Sequence, residues 1–207
     1  MQKPVILGSP QMEACFETLI ARYIATKVGV VENFIALPLR TQLAAQLHQL
    51  HFDNLLAPAG IGNTQKLQQN QAIRKDCIYW LDRKNNNAQE TAFLDQIEAF
   101  IKYLNESCYA GITGYEFHYS FYEKGAFYRK HFDQFQDNSS RQFSMISYLN
   151  PEWKIDDGGE LCVYQEKNTQ KISPIGGTTV FFKSNELLHE VLVTQEPRLS
   201  ITGWLKR

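Results

Sequence analysis

The stretch YEFHYSFYEKGAFYRKHFD, Tyr115 to Asp133, decides how this chain is read. Its first eight residues, Tyr115 to Tyr122, form an aromatic-rich run of β type, and it closes on the tripeptide His131-Phe132-Asp133. In an extended segment side chains at i and i+2 share a face, so His131 and Asp133 reach one point while Phe132 turns away. Further β-type runs follow: Phe143 to Tyr148, Glu160 to Tyr164, Thr178 to Phe182, Val191 to Thr194 and Leu199 to Leu205. Turn signals separate them at Asp137 to Ser140, Asp156 to Gly159, Gly176-Gly177 and Glu196-Pro197.

Before Gly111 the texture is helical. Cys15, Phe16, Leu19, Ile20, Tyr23 and Ile24 recur at helical spacing between Gln11 and Lys27, with Ser9-Pro10 as the start signal. Val30 to Phe34 reads as a short strand, and Leu39, Leu43, Ala44, Leu47 and Leu50 form one stripe of a helix from Leu37 to Leu50. His48 and His51 lie three apart there, a spacing open to metal binding or to a solvated helix end. Residues 57–71 have no periodicity and read as a long, lid-like loop. Ile73 to Leu81 reads as a strand and Asp82 to Asn87 as a turn. Phe93, Leu94, Ile97, Phe100, Ile101 and Leu104 mark a helix from Thr91 to Glu106. Helices followed by strands in one chain predict a mainly β sandwich or barrel backed by N-terminal helices. The economical division is a helical extension over residues 1–29 and one domain over 30–207.

The chemistry suggested by His131-Phe132-Asp133 needs a third ligand, and His189 supplies a candidate from a later strand. Two imidazoles and one carboxylate on one face of a divalent iron leave positions open for a cosubstrate and dioxygen. Arg198 follows His189 by nine positions, at the head of the run Leu199 to Leu205. A planar, permanently charged fork there suits the far carboxylate of a dicarboxylic keto acid.

Bulk composition narrows the remaining classes. The chain has 207 residues, 43% hydrophobic and 21% charged, enough for one well-buried domain. With 21 Lys+Arg against 22 Asp+Glu there is no electrostatic case for nucleic acid or an acidic membrane surface. Cys15, Cys77, Cys108 and Cys162 are scattered, as in a reduced cytoplasmic protein. No secretory leader is expected from Met1 to Gly8, and no run approaches the roughly twenty apolar residues of a membrane span.

These residues resemble the 2-oxoglutarate- and Fe(II)-dependent oxygenases, and among them the prolyl 4-hydroxylases of the hypoxia-sensing type. Tyr122, Gly125, Tyr128, His131 and Asp133 are similar to the family's Tyr-Gly-Tyr-H-x-D signature. Tyr148-Leu149-Asn150 resembles its aromatic-Leu-Asn strand, Gly158-Gly159-Glu160-Leu161 its G-G-x-L turn, and Leu188-His189-Glu190-Val191 its distal ligand motif. Arg198, Thr202 and Trp204 stand in its final strand. Ile73-Arg74-Lys75-Asp76-Cys77-Ile78-Tyr79-Trp80 is similar to I-R-x-D-x-I-x-W, with Lys75 where a glycine is common.

The resemblance implies a double-stranded β-helix, or jelly roll, with the site inside its mouth. It implies iron on His131, Asp133 and His189, and 2-oxoglutarate paired through its C5 carboxylate with Arg198 and Tyr148. Tyr122, Ser200, Thr202 and Trp204 are further candidates around the cosubstrate, each with packing as the competing role. Tyr128, Asp76 and Trp80 are candidates for the substrate. Dioxygen would be consumed and ascorbate is a candidate reductant. The partner implied is a protein or peptide bearing proline, with hydroxylation of a free amino acid or small metabolite as the alternative. A non-catalytic barrel holding Zn or Ni as a sensor is the reading from another class, against which Arg198 stands. Neither composition nor motif speaks to oligomeric state.

Overall fold

Ser9 Oγ accepts a hydrogen bond from the Met12 N–H at 3.4 Å and Pro10 lies in the first turn, so the first helix, α1, runs Pro10–Thr26. The computed structural model describes residues 8–60, 71–134, 138–166 and 168–207. After α1 come strand β1 (Val28–Val31), helix α2 (Leu37–Phe52), strands β2 (Ala57–Pro58) and β3 (Cys77–Trp80), and helix α3 (Ala88–Cys108). Asn87 caps α3, its Oδ1 accepting from the Gln89 and Glu90 N–H groups at 3.0 Å each. The rest is β: β4 (Gly114–Tyr122), β5 (Tyr128–His131), β6 (Arg141–Tyr148), β7 (Leu161–Gln165), β8 (Asn168–Ile172), β9 (Thr179–Lys183), β10 (Leu188–Val191) and β11 (Arg198–Lys206).

Among the described residues the strands form two antiparallel sheets, one ordered β1-β9-β6-β11-β4-β3-β2 and the other β5-β10-β7-β8. The larger sheet is two-faced, as period-two alternation requires. Leu199, Ile201 and Leu205 of β11, with Phe117, Tyr119 and Phe121 of β4, join the core under the helices. Their neighbours Arg198, Thr202 and Trp204, with His118, Ser120 and Tyr122, line a cavity on the other face. The second core, between the sheets, holds Ile146, Tyr148, Leu161, Val163, Val180, Phe182 and Val191.

Several expected boundaries moved. The division expected at residues 29 and 30 falls inside β1, and Met12, Phe16, Leu19 and Ile20 of α1 share one core with α3 and the large sheet. The strand expected at Val30 to Phe34 is Val28–Val31, because its register is set by pairing with β9, Val28 opposite Phe182. The strand expected at Val191 to Thr194 is Leu188–Val191, paired with β7 and β5; Thr194 makes only an isolated bridge to Gly158. Of the lid-like loop over 57–71, residues 61–70 lie outside the described residues, while Ala57 and Pro58 pair with Ile78 and Cys77. The turn expected from Asp137 also begins outside them. Strands β5 and β8 carry charged and polar side chains, so no apolar pattern announced them.

Phe100 joins the layers. Its ring lies 5.1 Å from Phe16 of α1, 5.9 Å from Phe34 and 5.4 Å from Phe181 of β9. Phe100→Ala should therefore cost about 3–5 kcal/mol of stability, read as a lowered urea midpoint at unchanged slope.

Candidate active site

The small sheet brings the two histidines together: His189 of β10 is directly opposite His131 of β5. Asp133 follows β5 in a bend, outside the strand, so simple i, i+2 alternation does not place it. Its N–H instead donates to the Ser184 carbonyl at 3.2 Å. Phe132 does not turn away cleanly either; it is half-exposed and lines the cavity mouth.

His131, Asp133 and His189 each offer one ligand atom within 4.8 Å of the other two. His131 Nε2 is 3.4 Å from one Asp133 oxygen and His189 Nε2 is 3.5 Å from the other. Each imidazole is oriented from behind: Nδ1 of His131 lies 2.7 Å from the Arg129 carbonyl, and Nδ1 of His189 lies 3.1 Å from the Leu187 carbonyl. A carbonyl accepts only, so Nδ1 of each ring carries a proton, and each Nε2 is the atom turned toward Asp133 and, once deprotonated, the one that can ligate a metal. Ser144 Oγ donates to Asp133 Oδ2 at 2.6 Å and lies 2.9 Å from Ser184 Oγ, which orients the carboxylate. Burial would raise the Asp133 pKa, but His189 and His131 outweigh it and hold the group well below the usual carboxylate range. The donor set and its backing fit a divalent iron with one face left open.

Arg198 is only 1% exposed and has no carboxylate partner among the described residues. Its Nε donates to the Gly159 carbonyl at 2.9 Å, and Nη1 reaches Ser200 Oγ at 3.5 Å. The turn that presents that carbonyl needs glycine at both positions: Gly158 and Gly159 have φ of 67° and 66°, and a Cβ on Gly158 would meet the Val193 carbonyl at 2.6 Å. Asn150 braces the same region, accepting from the Leu199 N–H at 2.8 Å and donating to the Pro174 carbonyl at 2.6 Å. The guanidinium lies 4.8 Å from the Tyr122 ring and 4.9 Å from the Tyr148 ring. Burial pushes both phenols up, so both stay protonated. The buried Tyr148 hydroxyl sits beside Arg198 and has no acceptor for its own proton among the described residues. A buried cation short of an anion, beside an unused hydroxyl donor, is the complement of a carboxylate.

Both parts open on one cavity of about 240 Å³. Tyr122, Tyr128, Thr202, Trp204 and Trp80 line it, whereas Ser200 sits behind, linked to Arg198 and Thr202. Asp76 does not reach it: both carboxylate oxygens are taken by Arg74, at 2.8 and 2.6 Å, and Arg74 lines the cavity in its place. Arg74 lies 4.2 Å over the Tyr128 ring, which stacks on His131 at 3.5 Å, and burial pushes the Tyr128 phenol up to about 12. Ser144, Arg141 and His118 are site residues that motif reading passed over. Ser144 and His118 stand two residues from the cavity-facing Ile146 and Ser120, which was the available signal; Arg141 lies beyond a register shift beside Lys206 and follows no such alternation. His48 and His51 play no part in the site; His51 stacks on Phe121 at 4.0 Å and faces Glu123.

A jelly roll with a His-Asp-His face and a buried arginine beyond it defines the non-haem iron oxygenase class, and the comparisons agree. The model of the 2OG-Fe(II) oxygenase superfamily matches residues 117–206. A prolyl-4-hydroxylase of Pseudomonas putida is 31% identical, with a TM-score of 0.83 over 96% of this chain and 100% of that one. A prolyl hydroxylase of Trichoplax adhaerens, solved with a hypoxia inducible factor oxygen degradation domain peptide fragment, is 23% identical, with a TM-score of 0.83 over 95% of this chain and 90% of that one. The hypoxia-inducible factor prolyl hydroxylase of Caenorhabditis elegans is 28% identical over 204 residues, 88% of this chain; the chain spans 28% of that relative's length. This chain belongs to the 2OG-Fe(II) oxygenase superfamily, in its prolyl hydroxylase group, and its cofactors are Fe(II), 2-oxoglutarate and dioxygen.

Three variants separate the halves of the site. Arg198→Ala should weaken 2-oxoglutarate binding roughly a hundredfold while leaving metal affinity intact, measured by calorimetry on the Mn(II)-loaded protein; equal cosubstrate affinity would remove Arg198 from this role. Asp133→Ala should abolish stable metal loading, and Ser144→Ala should weaken it about tenfold, both read by metal titration.

Proposed function

We propose that this chain hydroxylates a prolyl residue within a protein or peptide, turning 2-oxoglutarate and dioxygen into succinate and carbon dioxide as one oxygen atom enters the substrate C–H bond. The observation that carries this reading is the disposition of charge in the cavity. Of the three guanidinium groups that line it, Arg74 is paired with Asp76 and Arg141 with Glu116 at 2.8 Å, while Arg198 alone lacks a carboxylate among the described residues. One uncompensated cation accommodates one carboxylate, that of the cosubstrate. A free amino acid would bring an α-carboxylate and find its cation already taken, so an embedded prolyl residue fits better.

Iron(II), when bound, supplies the electron-transfer chemistry that activates dioxygen, with the keto acid as reductant. The chain's own residues do the rest. Arg198 and the Tyr148 hydroxyl hold the distal carboxylate, Ser200 and Thr202 extend that polar column, and Tyr122 closes it. Ile146, Leu161 and Val191 give the cavity dry walls. Trp80, 47% exposed at the rim, and Tyr128 offer aromatic faces to the substrate, with Asp76 acting through Arg74.

The relatives named above as prolyl hydroxylases support the substrate class. The four unpaired cysteines, Cys15, Cys77, Cys108 and Cys162, support a cytoplasmic setting, with ascorbate as accessory reductant on family resemblance alone. The metal-sensor reading loses ground to the same Arg198, which a purely structural metal would not need.

The test is anaerobic loading with Fe(II) and 2-oxoglutarate, followed by oxygen and peptides from a cell extract. Succinate release stimulated by peptide, with one oxygen gained on a proline, is the expected result. Succinate release stimulated only by free amino acids would move the reading to the small-molecule class.

A further inference from the structure

His118 stands on the cavity face of the large sheet, opposite Trp80 on β3 and Thr202 on β11. It lines the cavity yet is only 2% exposed. Trp80 meets its ring edge-on at 5.0 Å, and Trp204 lies at 5.6 Å. Among the described residues its hydrogen bonds fall on one nitrogen: Nδ1 is 3.0 Å from the Tyr119 carbonyl and 3.1 Å from Ser120 Oγ. Because the carbonyl only accepts, Nδ1 carries the proton and Nε2 is a bare acceptor without a partner among the described residues. Burial, reinforced by Arg74 and Arg141, takes the ring's pKa down to about 4, so it is neutral under ordinary conditions. His118 lines the cavity, so this free acceptor is available to a ligand that enters it. Here it sits between the aromatic rings of the substrate end of the cavity.

We propose that His118 Nε2 accepts the main-chain N–H of the residue that follows the target proline, which makes His118 a specificity-determining residue for a peptide over the free amino acid. The proposal rests on the prolyl reading above. Proline has no N–H within a chain, so the next residue's amide is the nearest main-chain donor after it. Free proline carries its α-carboxylate at that place. A carboxylate has only acceptors to present to the Nε2 lone pair, and Arg74 and Arg141 are already paired with Asp76 and Glu116.

The test uses the peptide hydroxylated in the assay above, in its natural form and with the amide after the proline N-methylated. Binding is read without turnover, on protein loaded with Mn(II) and N-oxalylglycine. In the unaltered protein, N-methylation should weaken binding about tenfold. In His118→Phe the natural peptide should bind about tenfold more weakly, and methylation should have no further effect. His118→Gln, which keeps an acceptor, should recover part of the loss. Unchanged N-oxalylglycine affinity certifies the fold of each variant, and His118→Met repeats the comparison where His118→Phe does not fold. An equal methylation penalty in the unaltered protein and the variant overturns the proposal, because the methyl group then acts by bulk alone. If peptides are hydroxylated and the penalty is equal, only the role of His118 falls; if no peptide is hydroxylated, the prolyl reading falls and this inference with it.

Discussion

A guanidinium buried without a carboxylate is the constraint around which this molecule is arranged. Arg198 leads the last strand into the interior, where a full charge is tolerated only if hydrogen-bonded and eventually neutralised. The Gly158-Gly159 turn supplies one carbonyl, Ser200 supplies a hydroxyl, and Asn150 ties the adjacent backbone to the turn after β6. What is still missing is an anion, and the guanidinium lines the cavity beside Tyr122, where one can enter. The protein thus keeps part of the solvation of its own core for a ligand to complete.

The two sheets divide the work according to their faces. The large sheet can afford polar residues on its cavity side because its other side is packed with Phe117, Phe121, Phe181 and the helices. Among the described residues the helices pack on the large sheet and not on the small one, whose strands β5 and β10 are short and polar, which suits them to carry ligands that must be held from behind by backbone carbonyls. Metal and cosubstrate anchors therefore come from opposite walls and meet in one cavity, so neither half of the site forms unless the roll closes.

The parts of this arrangement visible in the sequence are those with a local period or a rare residue set. The apolar stripes of α1, α2 and α3 and the long runs of β4, β6 and β11 carried their own signals, and His131, Asp133, His189 and Arg198 stood out by order and chemistry. Strand register did not, because it depends on partners distant in sequence: β1 shifted to match β9, and the residues around His189 form the strand that was expected to begin at Val191. The site's supporting residues were hidden for a similar reason. Asp76 reads as a cavity carboxylate until Arg74 is seen to hold both its oxygens, and Ser144 and His118 become meaningful only once Asp133 and Trp80 are beside them.

The central claim is that the buried charge of Arg198 selects a keto acid with a distal carboxylate. The most direct test is anaerobic titration of the Fe(II)-loaded protein with 2-oxoglutarate and with 2-oxobutyrate, which keeps the metal-chelating end and lacks the distal carboxylate, each followed by the visible absorption that chelation produces. Binding of 2-oxoglutarate roughly a hundredfold tighter than 2-oxobutyrate is the predicted result; equal affinities would mean that Arg198 serves another purpose and that the chemistry read from this cavity is wrong.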